Sequence, residues 1–183
     1  MKNQIQKEAK LGKNLTLTGM MGVGKSTIGK ILAKKLNYNF IDVDKLIEAK
    51  EGTSINLIFK NKSENYFRKI EYDITLSNLK IKNSVISLGG GAFVNNIIRK
   101  NAKKLSISFW LDVSIDELIK RLKKSKKRPL LFGKNINEAV KKIYLERKKI
   151  YNDADHRIKC NSLTSEEIAN KILNLYEKSR DKI

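Results

Sequence analysis

Leu15-Thr16-Leu17-Thr18-Gly19-Met20-Met21-Gly22-Val23-Gly24-Lys25-Ser26-Thr27 is the stretch on which the reading of this 183-residue chain turns. A short strand runs into a glycine-rich turn, and behind the turn Ile28, Ile31, Leu32 and Leu36 recur at helical spacing as far as Asn37. Gly19, Gly24, Lys25 and Ser26 keep the spacing of a phosphate-binding loop. Glycines allow successive backbone N–H groups to turn inward around an anion, and a helix starting at Lys25 points the positive end of its dipole at the same place. Lys25 can bridge terminal phosphates, and the Ser26 hydroxyl can ligate Mg²⁺. Residues Gly22, Val23, Gly24, Lys25, Ser26 and Thr27 are therefore expected to bind a nucleotide.

Further along the chain, strands and helices alternate. Strands are expected over 39–43, 84–88, 105–112 and 156–160. Helices are expected over 45–50, around Ile55, Ile58 and Phe59, through Phe67 to Leu79, and over 94–103, 115–122, 136–151 and 164–178. Strands that are apolar throughout and separated by helices imply a parallel sheet covered on both faces. Ligands of such sheets sit at the carboxyl ends of the strands. That rule gathers the Gly19 turn, the pair Asp42 and Asp44, and the triplet Gly89-Gly90-Gly91 around one crevice. The two aspartates, two apart on an extended segment, are expected to share a face toward the phosphate loop. One would serve the metal's water shell and the other the hydroxyl that receives a phosphoryl group. Helix capping by Asp44 is the competing role. The one proline, Pro129, lies in a lysine-rich loop with Gly133 and suits a lid.

Composition narrows the function classes. Thirty-nine Lys and Arg against 19 Asp and Glu give a formal charge of +20. The lysines are spread along the whole chain beside abundant Asn and Ile, the pattern of a solvated surface rather than a nucleic-acid footprint. The aromatic residues form no paired stacking platform. A lone cysteine, Cys160, excludes an internal disulfide and a cysteine-based zinc cluster. No apolar run approaches the ~20 residues of a membrane span. With no secretory signal at its start, the chain is expected in the cytoplasm. His156, Cys160 and Trp110 read as structural residues. Arginine is scarce, so Arg68, Arg128 and Arg147 stand out as forks for carboxylate or phosphate that lysine does not replace.

Six segments then converge: 20–29, Asp42-Val43-Asp44, Phe67-Arg68-Lys69-Ile70-Glu71, Leu88-Gly89-Gly90-Gly91, Arg128-Pro129-Leu130-Leu131 and Arg147-Lys148-Lys149-Ile150-Tyr151. Together, in this order and spacing over about residues 14–178, they closely resemble the shikimate kinases. The resemblance implies an α/β fold: a P-loop NTPase-type three-layer α/β/α sandwich with a five-stranded parallel sheet, nucleoside-monophosphate-kinase-like with a lid. It implies a flexible N-terminal tail over 1–13 and one kinase domain over 14–180, with substrate-binding helices over about 44–80 and a lid over about 123–135. The implied reaction moves the γ-phosphoryl of ATP to the 3-hydroxyl of shikimate, with Mg²⁺ as cofactor. ATP and shikimate are the implied partners of a monomer that binds neither nucleic acid nor membrane.

By resemblance, Asp44 holds the acceptor hydroxyl and Asp42 orders Mg²⁺ through water beside Ser26. Arg68 and Arg147 clamp the substrate carboxylate, and Gly89, Gly90 and Gly91 bring backbone amides to the ring. Lys25, Asp44 and Arg128 form the catalytic set, Arg128 being the lid arginine on the phosphates. Glu71 fixes Arg68, Arg121 packs on adenine, and 161–164 is the adenine loop. Where the family carries Gly-Glu before its Phe-Arg pair, this chain has Ser63-Glu64. A kinase for gluconate and a nucleotide-dependent nucleic-acid-binding module are the alternatives.

Overall fold

The computed structural model describes residues 13–123 and 135–180. Its five strands are β1 (Asn14–Thr18), β2 (Asn39–Asp42), β3 (Ser84–Ser87), β4 (Ser106–Asp112) and β5 (His156–Lys159). They pair in the order β2-β3-β1-β4-β5, every pair parallel. The helices are α1 (Lys25–Leu36), α2 (Val43–Glu51), α3 (Ile55–Asn61), α4 (Glu64–Leu79), α5 (Asn96–Leu105), α6 (Ile115–Lys123), α7 (Ile136–Tyr151) and α8 (Ser165–Arg180). Helices α1 and α8 pack together on the sheet, as do α4 and α5, completing a three-layer sandwich.

The three central strands are buried along their whole length, whereas the edge strands β2 and β5 are only partly covered. Leu15, Leu17, Val85, Ile86, Phe109 and Leu111 are fully enclosed with Ile28, Leu32 and Trp110 nearby. Each such aliphatic side chain stabilises the fold by about 1.5–3 kcal/mol. Asn14 and Thr16 inside the sheet are satisfied: Asn14 donates to Leu79 O and Ile81 O and accepts from Ser84 N, and Thr16 pairs with Ser106, whereas Thr18 Oγ1 finds no partner among the described residues. Among the described residues no helix is long and apolar enough to cross a membrane.

Local chemistry sets the boundaries. Asn37 in the left-handed conformation ends α1 where the apolar spacing stops. Ser63 caps α4 by accepting from Tyr66 N at 3.1 Å, in an extended backbone that any residue adopts, so serine sits there without strain. Two expectations are corrected. Strand β2 ends at Asp42 and α2 starts at Val43, so Asp42 and Asp44 do not share an extended face. Asp42 is the capping residue, accepting from Lys45 N at 3.3 Å, and Asp44 lies in the first turn of the helix. The helix expected from residue 94 begins at Asn96 instead. Ala92–Val94 forms a short 3₁₀ turn, and the Asn95 side chain accepts from Ile97 N and Ile98 N to start α5.

Candidate active site

At the carboxyl ends of β1, β2 and β3 lies a cavity of about 940 Å³. Gly22, Gly24, Lys25, Ser26 and Thr27 line it from the phosphate loop, Asp42 and Asp44 from the start of α2, Arg68 and Glu71 from α4, Gly90 and Gly91 from the turn after β3, and Arg147 from α7. Residues far apart in sequence are thus brought to one space, as expected. Gly89 lies directly behind: a methyl group on it would sit 2.3 Å from Glu71 Oε1 and 2.8 Å from Asp44 Oδ1. Arg121 stands outside the cavity, donating to Glu117 Oε1 at 2.8 Å and to Val23 O at 3.4 Å. Arg128 lies outside the described residues.

The phosphate loop is held open by backbone geometry. Gly24 has φ +99°, closed to ordinary side chains, and hands the chain into α1. Lys25, buried, donates to Gly19 O and Met20 O at 2.9 and 3.0 Å, so its ammonium is anchored across the loop it serves. Ser26 Oγ donates to Asp42 Oδ2 at 2.5 Å. This hydroxyl–carboxylate pair is a set of hard oxygen donors. Mg²⁺ takes one or two protein oxygens and fills its octahedron with water and phosphate, so the pair fits it.

Opposite, Arg68 is bracketed by carboxylates. Its Nη1 donates to Glu71 Oε2 at 2.6 Å, and its Nε and Nη2 donate to Glu64 Oε1 at 3.2 and 2.9 Å. The guanidinium lies over Gly91, where a methyl group would come within 2.5 Å of Nη1. Burial lowers the Arg68 pKa, but Glu71 and Glu64 outweigh it, and the guanidinium stays firmly charged. Glu71 is itself buried, and burial pushes its carboxyl above the usual range; Arg68 pulls back and Asp44 pushes further. Its Oε1 has no hydrogen-bond partner among the described residues. Arg147 Nη1 donates to Gly90 O at 2.9 Å, and the Tyr151 hydroxyl donates to the same carbonyl.

Sequence reasoning missed Glu64 as a partner of Arg68 and Tyr151 as a partner of Gly90. Each was detectable in principle, since Glu64 precedes Arg68 and Tyr151 follows Arg147 by one helical turn of four residues. The residues read as structural are so. Burial pushes the Cys160 thiol up to about 11, His156 bonds Ser179 and stacks on Phe109, and Trp110 is enclosed. In the segment 161–164, Asn161 accepts from Ser114 N, and Thr164 caps α8 with Glu167.

Comparison with known proteins matches this architecture. A family profile described as shikimate kinase covers residues 21–177. A shikimate kinase of a Sulfurihydrogenibium species is 44% identical over 165 residues, 88% of this chain and 96% of that protein. The structure of an Acinetobacter baumannii shikimate kinase in complex with shikimate superposes with a TM-score of 0.88 at 31% identity, covering 92% of this chain and 94% of the other. A gluconokinase of Sinorhizobium meliloti, at 15% identity and a TM-score of 0.59 over 94% of this chain and 95% of its own, shares the fold alone.

Proposed function

The chain belongs to the shikimate kinase family, and from that premise we propose how its own residues carry the phosphoryl group from ATP to the 3-hydroxyl of shikimate. The enzyme is an ATP-dependent phosphotransferase with an alcohol acceptor. Such a reaction asks the protein for position and charge stabilisation more than for covalent chemistry. The observation that carries the reading is the single cavity lined by Lys25, Ser26, Asp44, Arg68 and Arg147.

The backbone amides of Gly22, Val23, Gly24, Lys25, Ser26 and Thr27 receive the phosphates of ATP. Lys25 follows the charge that develops on the transferring group, and Arg128 adds a second cation. Removing one such preorganised charge costs about 3–4 kcal/mol of barrier. Ser26 and, through water, Asp42 would hold Mg²⁺, which when bound offsets the same negative charge. Arg68 and Arg147 take the substrate carboxylate, Glu71 keeps Arg68 in place, and the Gly89-Gly90-Gly91 turn lets the ring approach the backbone. Asp44 orients the 3-hydroxyl and accepts its proton as the new O–P bond forms, while the bond to the bridging oxygen breaks and ADP departs. Arg121, beside the phosphate loop, flanks the adenine. We assign the helices over about 44–80 to acceptor binding and about 123–135 to the lid. The enzyme acts as a monomer, since one chain supplies both halves of the cavity, and we place it in the cytoplasm, working without nucleic acid or membrane.

The test is an ATP-consumption assay with Mg²⁺ across shikimate, gluconate and nucleoside monophosphates. Shikimate alone should stimulate ADP release. Equal stimulation by gluconate overturns the acceptor assignment.

A further inference from the structure

Tyr151 closes α7 and is completely enclosed, yet it is not a simple core residue. Its ring lies 6.0 Å from that of Trp110 at the centre of the sheet. Its hydroxyl donates to Gly90 O and lies 4.0 Å from Met20 Sδ, inside the phosphate loop. Arg147, one turn earlier on the same helix face, donates to the same Gly90 carbonyl at 2.9 Å. A carbonyl oxygen has two lone pairs, and here two donors take both.

Gly90 in turn leans on the phosphate loop, since a methyl group on it would come within 3.3 Å of Met21 N. One phenol therefore touches the cradle for the donor, the turn under the acceptor and, through a shared carbonyl, the arginine assigned to the acceptor's carboxylate. Burial keeps its pKa above the ordinary value against the pull of Arg147, so the hydroxyl remains a donor.

We propose that Tyr151 is a positioning residue for the acceptor site: its hydroxyl, sharing Gly90 O with Arg147, sets the height of the glycine turn and the aim of the Arg147 guanidinium relative to the phosphate loop. The inference rests on the acceptor reading given above. With the hydroxyl removed, half of a buried carbonyl is left without a donor. Among the described residues Arg147 is then the one side-chain donor left on Gly90 O and is drawn toward it, away from the substrate carboxylate. The donor half keeps its own backbone-determined shape, so the defect falls on the acceptor.

The test is Tyr151→Phe, which keeps the ring against Trp110 and Met20, with steady-state kinetics on the full chain and thermal unfolding in parallel. The shikimate KM should rise about tenfold, the range expected for one lost buried hydrogen bond, while the ATP KM and kcat stay within about twofold. A second variant, Trp110→Phe, removes packing beside the same ring but leaves the hydroxyl. It should lower the melting temperature and leave the shikimate KM within about twofold. A shikimate KM unchanged in Tyr151→Phe, an equal rise in both KM values, or an equal rise in Trp110→Phe overturns the proposal. A parent enzyme that ignores shikimate would instead sink the underlying functional reading, so the two failures are distinguishable.

Discussion

Two glycine-rich turns meet at the cavity, and they require glycine for different reasons. In the phosphate loop, Gly24 adopts φ +99° while a methyl group on it would find only ordinary contact with Ile28 at 3.7 Å. The constraint there is local backbone shape. In the turn after β3, none of the three glycines has a positive φ. Gly89 and Gly91 are instead hemmed in by side chains arriving from elsewhere, namely Asp44 of α2 and Glu71 and Arg68 of α4. Gly24 is thus constrained from within its own turn and Gly89 and Gly91 from outside theirs, whereas Gly19 of the phosphate loop meets both limits, with φ +134° and Leu111 O 2.6 Å from where a methyl would sit. A locally encoded site can thus be recognised from eight consecutive residues, whereas an externally encoded one makes sense only once the helices around it are in place.

The contrast is open to direct attack, most forcefully through paired alanine substitutions. Gly89→Ala places a methyl against the carboxylates of Glu71 and Asp44, and if Asp44 holds the acceptor as proposed, displacing it by about 1 Å costs about 100-fold in rate. Its kcat/KM should fall by about that factor with little loss of melting temperature. Gly24→Ala should cost the fold about 1–2 kcal/mol of backbone strain and a few degrees of melting temperature, with its kinetic loss falling on the ATP KM because its amide is proposed to meet the phosphates. Kinetic loss in both with unchanged stability in both would erase the distinction.

A smaller effect is expected at the arginine that crowds Gly91. Arg68→Lys loses the planar fork that meets Glu71 and Glu64 and that is proposed to take the substrate carboxylate. The shikimate KM should rise about tenfold with the ATP KM within about twofold, and equal changes in both would place Arg68 outside the acceptor half.

The smallest effect is a pH dependence. Burial raises the Glu71 carboxyl above its ordinary pKa, more than Arg68 lowers it, with Asp44 adding to the rise. A carboxyl raised in the folded state favours folding in acid. Its contribution is complete below the unfolded value of about 4.3 and is lost as pH climbs through the folded one. Catalysis runs the other way, because protonation removes the charge facing Arg68. The shikimate KM should therefore climb a few-fold as pH falls through the raised value. Glu71→Gln should hold KM high and flat over that interval, and a variant keeping the parent's profile would assign the titration to another group.

Much of this was legible in the chain itself because short-range rules govern it. Apolar spacing located α1, α4, α7 and α8, and short segments rich in apolar residues located β1, β3 and β4. The arrangement at Asp42 and Asp44 was misread because Val43 fits a strand or the first turn of a helix equally well. What decided it was the Asp42 side chain accepting from Lys45 N, a capping bond invisible to periodicity. Val94 was likewise drawn into α5, where the Asn95 cap starts the helix two residues later. The roles of Arg68, Glu71 and the glycine triplet came from resemblance, since nothing in residues 89–91 alone says which side chains will press on them. Tyr151 stood in the sequence as the last residue of the segment that begins at Arg147, with no role of its own until its hydroxyl was seen on Gly90.

The strand order carries a consequence for ancestry. Because β1 sits in the middle and β2 at one border, α2, α3 and α4 form one uninterrupted excursion between β2 and β3 on that border. Rewriting this excursion leaves the β3-β1-β4 register, and with it the phosphate loop, undisturbed. The scaffold is therefore modular in part: Asp44, Arg68 and Glu71, proposed for the acceptor, fall in one stretch of gene that can be edited with the nucleotide grip intact, while the glycine turn and Arg147 lie elsewhere.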